Sequence, residues 1–99
     1  MSNDPIASKL SELSKLRFNM SGKDFLLTWD KSDADIRATL LTAEIIRLLY
    51  ESNVSCVLYQ SGLAVSNFRD KSTRTRFSFA SAANLLGLTA QDLDEEKSQ

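Results

Sequence analysis

The stretch SNFRDKSTRTRFSF, residues 66–79, contains four of the 12 arginines and lysines of this 99-residue chain. It follows a run rich in β-forming residues, LAVSNF, and leads into a run of small residues that is typical of a helix. Ser72 can cap the start of that helix, and Gly87 suits the position just after its end. The pattern predicts a strand at about 63–68 and a helix at about 73–86.

The residues after Gly87 extend this pattern to strand, helix and strand. LTAQDLD is a second β-rich run and predicts a strand at about 88–93. Two strands joined by a helix in this order are parallel, so the predicted fold class is α/β. Parallel sheets are normally covered on both faces, and two strands leave an edge open. We therefore expect the N-terminal part of a larger parallel-sheet domain, incomplete in this chain.

The first half of the chain predicts two helices. Asp4 and Pro5 form a helix-start pair, and the apolar residues that follow predict a helix at about 5–16. A second helix is expected at about 32–51, with carboxylates in its first turn. Its apolar face is expected to contain Ile36, Leu40, Leu41, Ile45, Leu48 and Leu49. The run VSCVLYQ, at 54–60, is a further candidate strand.

Composition limits the classes of function. The chain is 42% hydrophobic and 25% charged with a formal net charge of −1, so it has no overall field that attracts nucleic acid. Cys56 is the single cysteine, and histidine, the commonest metal ligand, is absent. Neither a secretory signal nor an apolar run long enough for a membrane span is present. These features predict a reduced, cytoplasmic protein without a metal.

The basic stretch predicts an anion site at the start of the third helix. A helix N-terminus offers unpaired backbone N–H groups and a partial positive charge. Ser72, Thr73, Arg74 and Thr75 add hydroxyl and guanidinium donors there. The preceding strand directs the loop to the carboxyl edge of the sheet, where ligands of α/β proteins usually bind. A phosphate or a carboxylate fits this set of donors.

Two other interpretations of the stretch stay open on these grounds. It could be a capped helix with two solvated arginines, or a nucleic-acid patch on which bases stack. The candidate stacking residues are Phe68, Phe77 and Phe79. The near-neutral charge of the chain and the nearby Asp70, Asp92 and Asp94 disfavour nucleic acid. Core packing is the better expectation for the three phenylalanines.

The motif STRTR, after a strand that ends in Phe, resembles the carbamoyl-phosphate loop of the aspartate/ornithine carbamoyltransferase family. The segment GKDFLLTWDKSDADI, at 22–36, is similar to the Gly-Lys/Arg-Asp-Phe-Leu segment of the family, which leads into a helix. NLLGLTAQDLDEEKSQ is similar to the next helix end, the second strand and the loop that follows. The resemblance covers about residues 18–99. The sequence around the motif is most similar to a subgroup of carbamoyltransferases whose acceptor is not settled.

The resemblance implies an enzyme that transfers a carbamoyl group from carbamoyl phosphate to an amine, such as an amino acid or a related compound. Neither a metal nor another cofactor is implied. Ser72, Thr73, Arg74 and Thr75 would bind the phosphate. Arg74 and Thr75 would be catalytic, with Thr75 also reaching toward the carbonyl oxygen. Gln99 would reach into the adjacent subunit's site, which implies a homotrimer with shared active sites.

The sequence also departs from the family. Asp70 stands where many relatives carry a basic or neutral residue, and Arg76 would support the loop or pair with an acidic neighbour. The second, acceptor-binding domain is absent, so residues 1–99 alone are expected to be a non-catalytic, associating or partly disordered fragment. A stand-alone phosphate-binding or regulatory module is an alternative. Another is an assembly piece whose first two helices pack on partners. Nucleic acid and membrane are not expected as partners.

Overall fold

A computed structural model of the chain describes residues 4–68 and 72–93. The elements are α1 (Pro5–Lys15), a 3-10 turn (Thr28–Asp30), α2 (Asp33–Glu51), β1 (Leu63–Ser66), α3 (Thr73–Leu85) and β2 (Thr89–Asp92). The chain divides into two compact units, one ending at Val54 and the other beginning at Ser55. Across the described residues, no helix combines the length and the apolarity needed to cross a membrane.

The N-terminal helix α1 is capped but buries little. The Asp4 carboxylate accepts a hydrogen bond from the Ile6 N–H at 3.0 Å, and Pro5 occupies the first helical position. No residue of α1 is buried, and Leu10 is 49% exposed. Apolar contact that holds α1 in place therefore comes from the half-buried Ile6 and Leu13, with no fully buried residue.

The helix α2 begins with a reciprocal pair of hydrogen bonds. Ser32 Oγ accepts from the Asp35 N–H at 3.1 Å, and the Asp35 carboxylate accepts from the Ser32 N–H at 3.4 Å. The same carboxylate accepts from the Asn19 N–H at 3.2 Å. Burial acts to raise the pKa of Asp35, but the hydrogen bonds from Asn19 and Ser32 outweigh it and hold the pKa below its ordinary value. Asp35 thus fixes both the start of α2 and the loop before it.

The apolar face of α2 is narrower than the sequence predicts. Its buried residues are Ala38, Leu41 and Ile45. Leu40, which was expected on this face, is 52% exposed, so that part of the prediction is wrong. Successive helical residues point about 100° apart, so Leu40 cannot share the direction of its fully buried neighbour Leu41. The half-buried members of the predicted face are Ile36, Leu48 and Leu49.

Two ion pairs join α1 to α2. Arg37 grips Glu12 with two nitrogens, at 2.6 Å from Nε to Oε2 and 3.0 Å from Nη2 to Oε1. Lys9 pairs with Glu44. The hydrogen bond from Arg37 holds the pKa of Glu12 below its ordinary value, and the hydrogen bond from Lys9 does the same for Glu44. Both contacts therefore require ionised carboxylates.

These lowered pKa values predict that the α1–α2 unit loses stability in acid. A carboxylate whose pKa is depressed by folding contributes stability above its ordinary pKa, and that contribution is lost as the pH falls through the folded-state pKa. We expect the free energy of unfolding to decline below the ordinary glutamate pKa of 4.5. Urea unfolding followed by circular dichroism at a series of pH values measures this decline.

Glu12→Gln should remove part of the acid decline, because the neutral amide carries no charge that protonation could remove. Glu51→Gln, at the exposed end of α2, is the matched control and should leave the decline unchanged. A pH profile that is identical in the parent chain and Glu12→Gln would contradict the assignment.

The second unit contains the βαβ arrangement. Strands β1 and β2 are parallel, with Leu63 opposite Thr89 and Ser66 opposite Asp92. The helix α3 connects them, so the predicted α/β class is confirmed. Each strand has four residues and is shorter than the runs at 63–68 and 88–93 that suggested it.

The run at 54–60 packs against the end of α3 instead of forming a strand. The N–H groups of Leu58 and Tyr59 both donate to the Leu86 carbonyl, at 3.1 and 3.0 Å. Cys56, in the middle of this run, is buried. Two backbone donors that a strand would offer to a sheet are therefore used by the C-terminus of a helix.

Gly87 allows this close approach. Its φ is +98°, and the Leu88 N–H donates to the Ala83 carbonyl at 2.9 Å, which closes the helix. A Cβ added to Gly87 would lie 2.0 Å from the carbonyl oxygen of Tyr59. Only a residue without a side chain fits between the helix end and the 54–60 run.

Gly87→Ala is expected to destabilise the second unit strongly. Backbone strain at positive φ costs about 1 to 3 kcal/mol. The overlap with the Tyr59 carbonyl adds to this cost, because a carbonyl group cannot move without shifting the chain on both sides of it. Gly62→Ala is the matched control, since its φ is +136° but its added Cβ would meet only the Leu88 Cδ2, at 2.8 Å. Thermal unfolding should show a larger loss for Gly87→Ala, and equal losses would contradict this account.

Candidate anion-binding site

The first turn of α3 is organised by Ser72. This residue is the N-cap, and its Oγ accepts a hydrogen bond from the Thr75 N–H at 3.4 Å. The hydroxyls of Ser72 and Thr75 are 3.1 Å apart, within hydrogen-bonding distance. The Ser72 carbonyl in turn accepts from the Arg76 N–H at 3.2 Å. Ser and Thr favour such local contacts at helix starts, which explains why the helix begins here.

Donors of three kinds gather in this turn. Thr73, Arg74 and Thr75 are the first three residues of α3, and all three are exposed. The N–H groups of a first helical turn have no partner inside the helix, and the helix dipole places a partial positive charge beside them. Hydroxyl, backbone and guanidinium donors therefore face solvent within one turn. Such a set can bind a phosphate or carboxylate group.

A second group of side chains lies at the carboxyl ends of the two strands. Ser66, the last residue of β1, is buried, and its Oγ donates to Asp92 Oδ1 at 3.0 Å. The other oxygen of that carboxylate, Oδ2, lies 3.6 Å from Arg76 Nε. We call Ser66, Asp92 and Arg76 the strand-edge network. It joins the ends of both strands to the fourth residue of α3.

The strand-edge network is the part of the site that sequence reasoning missed. The sequence predicts that Arg76 supports the loop or pairs with an acidic neighbour, but it does not identify Asp92 as that neighbour and gives Ser66 no role. The only signal in the sequence was the parallel pairing, because it sets the last residues of the two strands opposite each other. The four-residue length of the strands, which makes Ser66 and Asp92 the last residues, had to be known first.

The four residues predicted to bind phosphate, 72–75, lie together in one helical turn. Their role as ligands stays a prediction. Gln99, the fifth, and Asp70 lie outside the described residues. Within residues 4–68 and 72–93, no group of three or more acidic or cysteine side chains is arranged to hold a metal ion.

The three phenylalanines near the site behave differently from one another. The rings of Phe68 and Phe79 meet edge to face, with centroids 6.0 Å apart and planes at 85°, which agrees with the expected packing role. Phe77 is 69% exposed, so the expectation that it packs in a core is not met among the described residues. It occupies the outer face of α3, two residues before Phe79.

Comparison with known proteins identifies the family. The family model for "Aspartate/ornithine carbamoyltransferase, carbamoyl-P binding domain" matches residues 23–99. The chain therefore belongs to the aspartate/ornithine carbamoyltransferase family, as the residues around STRTR indicated. The helices α2 and α3 and the two parallel strands lie within the residues that match its α/β carbamoyl-phosphate-binding domain.

The chain is also similar to individual family members. It is 48% identical over 90 residues to "Putative carbamoyltransferase YgeW" of Escherichia coli strain K12. The protein of the same name from Escherichia coli O157:H7 gives the same identity, 48% over 90 residues. Each match covers 91% of this chain and 23% of the relative. The chain thus spans about a quarter of the length of the curated relatives that it matches.

The N-cap role of Ser72 can be tested through stability alone, without a ligand. Ser72→Ala should lower the free energy of unfolding by about 1 kcal/mol, because the helix loses its cap. Ser72→Asn should keep the stability, because an asparagine side chain also accepts from the first-turn N–H groups. Urea unfolding measures both values. Equal destabilisation by the two substitutions would show that the cap does not determine stability here.

Proposed function

We propose that this chain is the carbamoyl-phosphate-binding segment of a carbamoyltransferase that transfers the carbamoyl group to an amine. The observation that carries the proposal is the first turn of α3, where Ser72, Thr73, Arg74 and Thr75 stand together after a parallel strand. Converging hydroxyl, N–H and guanidinium donors suit a phosphate dianion. Membership in the family supports carbamoyl phosphate as the particular ligand.

The reaction needs positioning and charge stabilisation more than acid–base residues. An uncharged amine nitrogen attacks the carbonyl carbon, a C–N bond forms, and the carbonyl oxygen takes up negative charge. The C–O bond to phosphate then breaks, the phosphate leaves with the electron pair, and the nitrogen loses a proton. Fixed donors near the oxyanion and the leaving group lower the barrier to such a step. Arginine and hydroxyl side chains on the first turn of a helix can supply them.

Within this turn the residues take different tasks. Arg74 is the main charge partner of the phosphate, because a guanidinium can grip two phosphate oxygens at once. Ser72 and Thr73 add short-range donors to the same group. Thr75 binds the phosphate and reaches toward the carbonyl oxygen, so Arg74 and Thr75 are the proposed catalytic residues. Ser72 has a second task, since it also caps the helix.

The remaining parts of the site lie beyond these residues. We propose that an amine acceptor, an amino acid or related compound, binds to a second domain of the same protein. Gln99 is proposed to complete the site of a neighbouring subunit in a homotrimer. We further propose a cytoplasmic location, which fits a chain whose single cysteine, Cys56, is buried and cannot form an internal disulfide. A role in amino-acid metabolism follows from the proposed amino-acid acceptor.

The decisive test is the loss of Arg74 in the full-length protein. Arg74→Ala should weaken carbamoyl-phosphate binding by about 2 to 5 kcal/mol, because a bound phosphate would shield this contact from water. Arg74→Lys should lose most of the affinity as well, since an ammonium group cannot reproduce the two-point contact. Calorimetric titration with carbamoyl phosphate measures both values.

Arg47→Ala is the matched control, because Arg47 is an exposed arginine of α2 in the other unit. It should bind carbamoyl phosphate as the parent does. Equal affinities of Arg74→Ala and the parent would overturn the assignment. Binding without transfer to any amine would instead favour a non-catalytic phosphate-binding or regulatory module.

A further inference from the structure

The strand-edge network connects the proposed ligand turn to the sheet. Asp92 is shared, because one carboxylate oxygen accepts from Ser66 Oγ at 3.0 Å and the other lies 3.6 Å from Arg76 Nε. Ser66 is only 5% exposed, so its hydroxyl has a fixed place at the end of β1. Arg76 follows Thr75 directly and belongs to the same first stretch of α3. The network therefore links both strand ends to the residue next to the ligand turn.

The charges of this network need an explanation. A carboxylate close to a phosphate site opposes the binding of an anion, so an unpaired carboxylate at position 92 would weaken phosphate binding. Here the carboxylate is paired with the Arg76 guanidinium, and the pair has no net charge. The same pair directs Arg76 to the strand ends, so Arg74 remains as the guanidinium of the ligand turn. A partly exposed ion pair contributes little to stability, which leaves orientation as its main effect.

We infer that Asp92 is a positioning and specificity-determining residue of the anion site. By pairing with Arg76 through one carboxylate oxygen and accepting from Ser66 through the other, it fixes the direction of the first turn of α3 relative to the strand ends. This inference rests on the proposed function. Inorganic phosphate can be bound by donors in many arrangements, because all its oxygens are alike. Carbamoyl phosphate has a distinct carbonyl end, so its recognition requires Arg74 and Thr75 at a set separation and angle.

The measurable quantity is the ratio of the affinity for carbamoyl phosphate to the affinity for inorganic phosphate. A change in the charge of the site alters both affinities in the same direction, so the ratio isolates the effect of geometry. In the full-length protein, Asp92→Asn should lower this ratio by about 2- to 30-fold, the range found for residues that couple to a site without touching the ligand. The midpoint of thermal unfolding should change little.

Three further variants sharpen the test. Arg76→Gln should lower the ratio as Asp92→Asn does, and the double variant should lower it no further, because both substitutions break one contact. Asp92→Glu should restore part of the discrimination, because it keeps the charge. Asp30→Asn, which removes an exposed aspartate of the 3-10 turn, is the matched control and should leave the ratio unchanged. If Asp92→Asn did not fold, Arg76→Gln would decide the question.

The outcomes separate the inference from the proposed function. If the parent binds carbamoyl phosphate and Asp92→Asn keeps the same ratio, the inference is overturned and the proposed function stands. Additive effects of the two single substitutions also overturn it, because they would show that Asp92 and Arg76 act independently. If the parent protein does not bind carbamoyl phosphate, the proposed function fails and the inference fails with it.

Discussion

Parallel pairing of β1 with β2 determines where the candidate ligand residues 72–75 stand. The register sets Ser66 opposite Asp92, and α3 starts near these strand ends because it follows the end of β1 in the chain. The Leu93 N–H continues the pairing by donating to the Ser66 carbonyl at 2.7 Å. A shift of one residue would turn Asp92 to the other face of the sheet and remove the partner of Arg76. The geometry of the candidate anion site thus depends on strand register as much as on the STRTR motif.

The far end of α3 is constrained as tightly as its start. Leu86 offers its carbonyl to two N–H groups of the 54–60 run, and Gly87 leaves the space that the run occupies. This arrangement uses two backbone donors of an apolar segment with high β propensity. The helix α3 is therefore capped by the Ser72 hydroxyl at its start and contacted by the backbone of the 54–60 run at its end.

Local signals in the sequence were sufficient for much of this unit. Ser72 and Gly87 mark the two ends of α3, and the β-rich runs on either side of the helix indicate the α/β class. The STRTR motif at the helix start indicates the family. Contacts between residues distant in sequence were not readable in the same way. Ser66 and Asp92 are 26 residues apart, so their hydrogen bond depends on register and strand length, which periodicity does not provide. The 54–60 run has strand-like composition, but two of its N–H groups donate to the carbonyl at the end of α3 and not to a strand.

The attachment of α1 has a consequence for how stability is distributed along the chain. A helix without buried residues, joined to its neighbour by Lys9–Glu44 and Arg37–Glu12, exposes little additional apolar surface when it opens. Salt weakens such contacts, whereas it has much less effect on the buried core of α2. Of the two helices in this unit, α1 is therefore the one whose amide protons we expect to exchange with solvent more readily. Added salt should increase that difference, because it screens the two ion pairs that join α1 to α2.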